Sequence, residues 1–543
     1  MWLENSRETL PAELCACEWD VLVIGGGITG AGILLEAARQ GLKALLVEQR
    51  DFAWGTSSRS SKLVHGGLRY IKEGKLFLTR DSVRERQNLL KEVPGLVETQ
   101  GFAFADYQGR KPGRRVFSAG LALYDLMAGK RTRHYHAPDE FLMLAPHIRR
   151  DGLNGGMCYA DAKTDDARLV LRVLQEAVDA GATAVNYLAV TRLQREVGRI
   201  TGIALRDEHI GATMTVKARA VINATGAWAD ALRNVSGKRQ KLRPLRGSHL
   251  VLPAWRLPVA QAVSLMHPLD GRPVFVFPWE GATLVGTTDV DHGDSLRQEA
   301  AITPEEFSYL MMAVEFQFPE LAIRPDDVIA TYAGVRPVID TGKADPSREG
   351  RDHAVWLEDG LLTVTGGKLT TFRLIARDAM QHAQSLLPGW RPDLTLKPVF
   401  SPSPPLPRHA VLTTLQQRRL EGRYGRHAST VIACARQDEL VQIPGTETLW
   451  AELRWAARTE AVLHLEDLLL RRTRVGLLLR DGGTAHMERI RGICQPELGW
   501  SDERWHAEHG DYLARWQRHY GLPPQHLLPD WRKARPLPGA RRR

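Results

Sequence analysis

The chain has 543 residues, enough for two or three domains that each bury a core, and its 43% apolar and 25% charged content excludes a disordered protein. Its formal charge of +10 is concentrated at residues 110–115 and 130–133 and in the tail from Arg532, which fits solvated surface or attraction to anionic lipid. No nucleic-acid-binding module or aromatic-interleaved basic strand accompanies these runs, so nucleic acid is not expected as a partner.

The N-terminus lacks the basic-then-apolar order of a signal peptide, and the apolar stretch 21–38 is interrupted by glycines and Glu36, so no targeting or spanning segment is expected. Five scattered cysteines, Cys15, Cys17, Cys158, Cys434 and Cys494, predict a reduced cytoplasmic chain without a metal site.

In chain order, apolar residues 21–24 lead into Gly25, Gly27 and Gly30, a helical run follows, and a second apolar run, 44–47, ends at Glu48. This is a strand, tight turn, helix and strand of the dinucleotide-binding kind. Gly25 permits the turn, Gly27 lets backbone approach a pyrophosphate, Gly30 lets the helix pack, and Glu48 accepts from the adenosine ribose. Thr56, Ser57, Ser60, Ser61 and Lys62, with Arg59 among them, concentrate hydroxyls and cations just after the second strand. They suit a diphosphate or ribityl chain, with a helix-capping turn as the plainer reading. His65, Gly66 and Gly67 follow, and such glycines allow backbone to approach a flat ring.

A polar helix is predicted over 81–91, aromatic residues among cations mark 101–160, and a helix over 166–180 precedes strands at 183–190, 200–205 and 214–216. AVINATGAWAD at 220–230 is a second strand-to-helix turn, with Asn223, Thr225 and Gly226 at its bend, and strands are expected at 247–252, 274–277 and 283–286. After a strand at 361–364, Gly366 and Gly367 aim amides and a helix dipole at a point suited to stabilising developing negative charge. Lys368 adds a full charge at a helix start, where the dipole opposes a cation unless something else requires it. PSPPLP at 402–407 is a linker, and the pattern beyond it is helical.

The segments GGGITGAGI, GTSSRSSKLVHGGLRY, TDDARLV, INATGAWAD, GTTDVD, GVRP and GGKLTTFR, in this order, resemble the FAD-dependent glycerol-3-phosphate dehydrogenases, and LEDLLLRRTRVGLLL at 465–479 resembles the start of that family's helical C-terminal region. The resemblance implies an α/β fold: a discontinuous Rossmann-like FAD-binding domain (18–100, 161–240 and 331–390), an inserted antiparallel β-rich substrate domain (101–160 and 241–330), a C-terminal α-helical domain (408–525) and a basic tail (526–543). It places the His65 motif beside the isoalloxazine and implies further FAD contacts at Leu63, Val190, Gly367, Lys368, Leu369 and Thr370. Residues 101–135, outside LALYDLMAGKRT, and 480–543 depart from the family pattern.

The implied activity is oxidation of sn-glycerol 3-phosphate to dihydroxyacetone phosphate by hydride transfer to FAD. Electrons then pass to a membrane quinone, with the protein held peripherally on the anionic inner face of the cell membrane. Such a site needs several cations for a dianion and a base for the hydroxyl proton. The resemblance implies substrate contacts at Arg69, Tyr70, His249, Arg336 and Lys368; arginine's fork suits phosphate oxygens, and His249 is the preferred base. The division of roles among these cations stays open, as does a homodimer. The alternatives are an oxidase using dioxygen and an amine or amino-acid oxidase on the same fold, which would need a carboxylate clamp.

Overall fold

The computed structural model describes residues 7–72, 74–110, 113–233, 240–346 and 349–533, with the side chains of Arg69, Lys72 and Arg532 outside that description. Strand Glu18–Ile24 lies at the centre of the first sheet, parallel to Ala44–Val47 on one side and Thr213–Asn223 on the other; Leu361–Gly366 and Thr183–Val185 extend the parallel set. A parallel sheet is covered on both faces, which is why its strands are apolar runs. Val21 and Val23 face a core shared with helices Ile28–Arg39, Asp166–Asp179 and Phe372–Ala383. The alternate residues Leu22 and Ile24 face a second core, with Leu193, Ile203 and Val216 of the antiparallel meander Leu188–Glu196, Arg199–Asp207 and Thr213–Asn223.

The second sheet is mostly antiparallel. Its backbone runs from Leu242–Pro253 through Ala282–Gly286, Pro273–Trp279, Ala262–Met266 and Val97–Tyr107 to Leu153–Thr164, with Ala330–Ile339 pairing along Leu242–Pro253. The short strand Leu63–Val64 pairs with Leu153–Thr164, so the segment that follows the nucleotide turn joins the second sheet directly. The α/β fold expected from the sequence is the fold observed, with helices such as Thr414–Tyr424, Trp450–Thr459 and Asp502–His519 in the C-terminal region.

Several elements differ in extent from the sequence reading. The polar helix begins earlier, at Leu76, and ends at Glu92, because Thr79, Val83, Arg86 and Leu89 supply a buried face among its charges. The expected strand at 183–190 is two strands, Thr183–Val185 and Leu188–Glu196, separated where Tyr187 takes a left-handed φ of 57°.

The C-terminal region is tied to the first sheet by buried arginines. Arg472 donates to both oxygens of Asp51 at 2.6 and 2.8 Å, Arg423 reaches Asp165 at 2.8 Å, and Arg474 reaches Asp165 at 3.0 Å and the Ser58 carbonyl at 2.9 Å. Asp165 is thereby held well below the usual carboxylate range, burial being outweighed by Arg474 and Arg423. Removing one partner of such a group leaves an uncompensated buried charge, so these contacts fix the C-terminal region against the loop that follows the second strand.

Candidate cofactor and substrate site

The nucleotide turn is built from three glycines under different constraints. Gly25 has φ +115°, and a Cβ there would lie 2.7 Å from the Ala224 carbonyl oxygen of the second turn; one on Gly30 would lie 1.9 Å from the Gly25 oxygen. Both positions are closed by the protein itself. A Cβ on Gly27 would meet only the Ser57 side chain, with Oγ at 3.0 Å, so here the missing side chain leaves room at the N-terminus of helix Ile28–Arg39, whose first amide, Ile28 N, is bonded by Ser57 rather than by its N-cap residue. Glu48 accepts from Gly26 N at 2.7 Å and Arg50 N at 2.9 Å, one bond per oxygen, which leaves a lone pair on each for ribose hydroxyls. Burial raises its carboxyl above the usual range despite those bonds. Leu188 N donates to Glu48 O at 2.7 Å, and half-buried Val190 lies two residues along that strand. In the second turn Thr225 Oγ1 donates to Asn223 Oδ1 at 2.7 Å, and Gly226, at φ +58°, accepts from Thr365 Oγ1 at 3.1 Å.

The hydroxyl-rich loop is more internally bonded than its composition suggests. Thr56 Oγ1 donates to Val335 O, Ser57 Oγ accepts from Ile28 N at 3.0 Å, and Ser60 donates to Asp166 Oδ2 through N at 2.9 Å and Oγ at 2.7 Å. The two cations turn to the protein. Arg59 pairs with Glu299 and donates to Tyr520 OH at 3.0 Å, while Lys62 Nζ donates to Asp166 Oδ1 and to Ser58 O, both at 2.9 Å. Lys62 is fully buried, burial together with Arg474 lowers its ammonium to about 8, and its backbone is taken up as well, N donating to Ser60 Oγ at 3.0 Å and O accepting from Thr164 N at 2.9 Å.

The next segment is knitted to a distant one. Gly66 N donates to Tyr124 OH at 2.9 Å and Asp161 Oδ1 at 3.2 Å, and Thr370 Oγ1 donates to the His65 carbonyl at 3.2 Å. Burial lowers the His65 imidazole to about 4. Gly67 has φ +79°, and a Cβ there would lie 2.3 Å from the Tyr70 ring and 3.1 Å from Lys368 Nζ. Lys368 sits over the Tyr70 ring at 3.8 Å and donates to Ser82 Oγ at 3.1 Å; burial and then Arg351 pull its ammonium down to about 7. Gly366 and Gly367, both at φ near +80°, make the bend that delivers Lys368 and the turn Leu369–Thr371. The Arg69 side chain lies outside the described residues, and its backbone begins the short helix Arg69–Lys72.

Pairing of Leu242–Pro253 with Ala330–Ile339 sets Leu245 opposite Arg336 and His249 opposite Tyr332. Arg336 donates to Asp289 Oδ1 at 2.7 Å and Thr287 Oγ1 at 3.2 Å; Arg351 and Arg272 stand 3.2 and 3.5 Å from Asp289 Oδ2. Three arginines thus surround one carboxylate. Burial lowers Arg336 to about 10, still charged at neutral pH. Gly247 makes room for it, since a Cβ there would lie 2.4 Å from Arg336 Nη2. The His249 ring stacks on Tyr332 with centroids 4.5 Å apart, its Nε2 is 3.0 Å from Ser61 Oγ, and its buried Nδ1 has no hydrogen-bond partner among the described residues. Burial, with Arg336 and Lys62 nearby, holds this imidazole well below 6.5, so it is neutral at physiological pH.

The structure therefore joins Ser61 to His249, Lys368 to Tyr70, and the Gly66 motif to the Lys368 turn. Arg351, Arg272 and Asp289 escaped the sequence reading; Asp289 lay within GTTDVD, but the other two carry no local signal. The glycine turn with space beside Gly27 at a helix N-terminus, an acid with acceptor capacity at the end of the second strand, and the paired motifs at 65–70 and 366–370 fit FAD.

A model of the FAD dependent oxidoreductase family matches residues 20–378, and one for the C-terminal domain of alpha-glycerophosphate oxidase matches residues 401–505. The aerobic glycerol-3-phosphate dehydrogenase of Staphylococcus epidermidis is 38% identical over 377 residues, 68% of each chain, and that of Staphylococcus aureus is 37% identical over 379 residues. The solved structure of the glycerol-3-phosphate dehydrogenase from Bacillus halodurans complexed with FAD superposes with a TM-score of 0.75 at 26% identity, over 96% of this chain and 98% of that one. The L-alpha-glycerophosphate oxidase from Mycoplasma pneumoniae shares the fold, with a TM-score of 0.56 at 19% identity over 72% of this chain and 99% of that one. The cofactor is FAD, and the chain belongs to the FAD-dependent glycerol-3-phosphate dehydrogenase family.

Proposed function

We propose that the protein oxidises sn-glycerol 3-phosphate to dihydroxyacetone phosphate and delivers the electrons to a membrane quinone. The observation that carries the substrate reading is the cluster of Arg336, Arg351 and Arg272 around the carboxylate of Asp289, next to the neutral imidazole of His249. A phosphate dianion is matched by clustered guanidinium forks, each able to offer two parallel donors to its oxygens. FAD, when bound, supplies the acceptor for the hydride from substrate carbon 2.

The side chains divide the remaining work. Arg336 and its neighbours bind the phosphate and orient the substrate. In the tautomer in which Nε2–H donates to Ser61 Oγ, Nδ1 of His249 carries the lone pair, and that atom takes the proton of the carbon 2 hydroxyl. Tyr332, stacked on the imidazole, fixes the plane of the ring. Lys368, beside Gly67 and Tyr70, places positive charge where negative charge accumulates on hydride transfer.

Among the described residues no helix is long and apolar enough to cross a membrane. Peripheral attachment is supported by helix Arg114–Ala128, which exposes Val116 at 67% and Leu126 at 78% beside exposed Arg114, Arg115, Lys130 and Arg131. Turnover assays that measure dihydroxyacetone phosphate while offering a quinone analogue or dioxygen test the reading. Fast quinone reduction with little oxygen uptake is expected; equal rates on dioxygen would make the protein an oxidase.

A further inference from the structure

Behind the substrate site, helix Pro304–Gln317 presents a buried glutamate to two of the segments that build that site. Oε1 of Glu306 accepts from Ser248 Oγ at 2.9 Å and Thr288 Oγ1 at 2.6 Å; Oε2 accepts from Arg246 Nε at 2.9 Å and Thr303 N at 3.2 Å. Ser248 and Thr288 are joined to each other as well, Ser248 N donating to Thr288 Oγ1 at 2.8 Å and Thr288 N to Ser248 O at 3.4 Å. Both are as buried as the glutamate.

The residues that alternate with these contacts face the substrate. Side chains alternate along an extended chain, so Arg246 and Ser248 point back to Glu306 while Gly247 and His249 point to the side of the site. Gly247 is where Arg336 packs: a Cβ on it would lie 2.4 Å from Arg336 Nη2 and 2.7 Å from Thr287 Oγ1. Residues 287–289 repeat the pattern. Thr288 turns back to Glu306, and its neighbours Thr287 and Asp289 both accept from Arg336. One carboxylate thus grips, from behind, the strand that carries the base and the segment that carries the partners of the arginine cluster. A buried ion pair adds little stability over apolar residues that pack equally well, but a carboxylate with two donors on each oxygen fixes the distances among those donors.

We infer that Glu306 is a positioning residue: it sets where His249 and the Arg336–Asp289 group stand relative to each other, so that one substrate meets the base at its carbon 2 hydroxyl and the arginines at its phosphate. The inference rests on the reading of His249 as the base and of the arginine cluster as the phosphate site. The spacing of these two matters because misplacing reacting groups by about 1 Å commonly costs about a hundredfold in rate. Glu306 itself takes no proton from the substrate.

Glu306→Ala would also take a partner from buried Arg246, so the test removes the other end of the bond in the FAD-loaded full chain. Thr288→Val keeps the shape of the side chain and loses its hydroxyl, while Thr288→Ser keeps the hydroxyl. FAD content and the rate of anaerobic flavin bleaching at saturating sn-glycerol 3-phosphate are measured for both. Thr288→Val should retain FAD and bleach at least about tenfold more slowly, and Thr288→Ser should recover most of the lost rate. Equal slowing in the two variants would make the effect one of packing and overturn the assignment, as would wild-type bleaching in Thr288→Val. Should Thr288→Val lose FAD, Ser248→Ala removes the other hydroxyl on Oε1 and is judged by the same rate, slowing of about tenfold being expected and a wild-type rate overturning the assignment. FAD-loaded wild-type protein that sn-glycerol 3-phosphate does not bleach would instead overturn the reading of the site on which the assignment rests.

Discussion

Lys368 Nζ lies 3.8 Å from the centre of the Tyr70 ring and 3.1 Å from where a Cβ on Gly67 would be, so the two most distinctive motifs of the chain meet at one ammonium. Burial lowers that ammonium to about 7, and Arg351 adds to the effect. The cationic form is therefore lost as pH rises through about 7 in the free protein, and kcat/KM for a dianionic substrate falls on that alkaline side. Lys368→Arg keeps the charge at all accessible pH and should remove this limb, while Lys368→Met lowers kcat/KM below about pH 7 and converges on the wild type as pH rises. A pH profile of Lys368→Arg with the wild-type alkaline limb would assign the limb elsewhere.

His249 contributes no such limb near its ordinary value. Its imidazole is held well below 6.5 by burial and Arg336, so it is already deprotonated, and an acid limb from this base lies well under pH 6.5. His249→Gln should lower kcat by about 10²–10⁴, the usual contribution of general base catalysis, with flavin content intact. A fall in flavin content that accounts for the lost rate would remove the base assignment.

For Arg336, alanine substitution removes a charge-assisted contact worth about 1.5–3 kcal/mol, or about one to two decades in kcat/KM. Flavin absorbance should be retained, because the contacts of Arg336 are to Asp289 and Thr287. Unchanged kcat/KM for glycerol 3-phosphate would show that the arginine cluster binds no phosphate.

The glycines of the nucleotide turn separate folding from cofactor binding. Gly27→Val should give folded, colourless protein, since a Cβ there meets only the Ser57 side chain, whereas Gly30→Val drives a side chain into the Gly25 carbonyl and should give little soluble protein. Circular dichroism and flavin absorbance of the two variants decide this, and a yellow Gly27→Val protein would move the pyrophosphate away from that turn.

Asp166 joins the cofactor loop to the C-terminal region by accepting from Ser60, Lys62 and Arg474. Asp166→Ala leaves Lys62 and Arg474 buried without that partner and should cost about 3–5 kcal/mol, seen as a large drop in thermal unfolding midpoint. A midpoint within a degree or two of wild type would mean the network is replaced by water.

What was legible in the sequence was local. Gly25, Gly27, Gly30 and Glu48 form one strand-turn-helix-strand unit, so their spacing alone carries the geometry, and the alternation of Val21 and Val23 with Leu22 and Ile24 follows from a sheet covered on both faces. Partners far apart in the chain were not legible. Lys62 reads as a phosphate ligand until Asp166 is seen beneath it, and Arg351 and Arg272 become part of a site only because Asp289 is carried between them. The helical character of the C-terminal region was visible in its pattern, but its buried arginines gave no sign that they grip Asp51, Asp165 and Asp166.

The most direct measurement of the central claim is anaerobic mixing of the FAD-loaded protein with sn-glycerol 3-phosphate, with unphosphorylated glycerol and with a panel of amino acids, followed by flavin absorbance. Rapid bleaching by sn-glycerol 3-phosphate with stoichiometric dihydroxyacetone phosphate, and none by glycerol or the amino acids, is the predicted result. Bleaching by an amino acid, with none by sn-glycerol 3-phosphate, would contradict it.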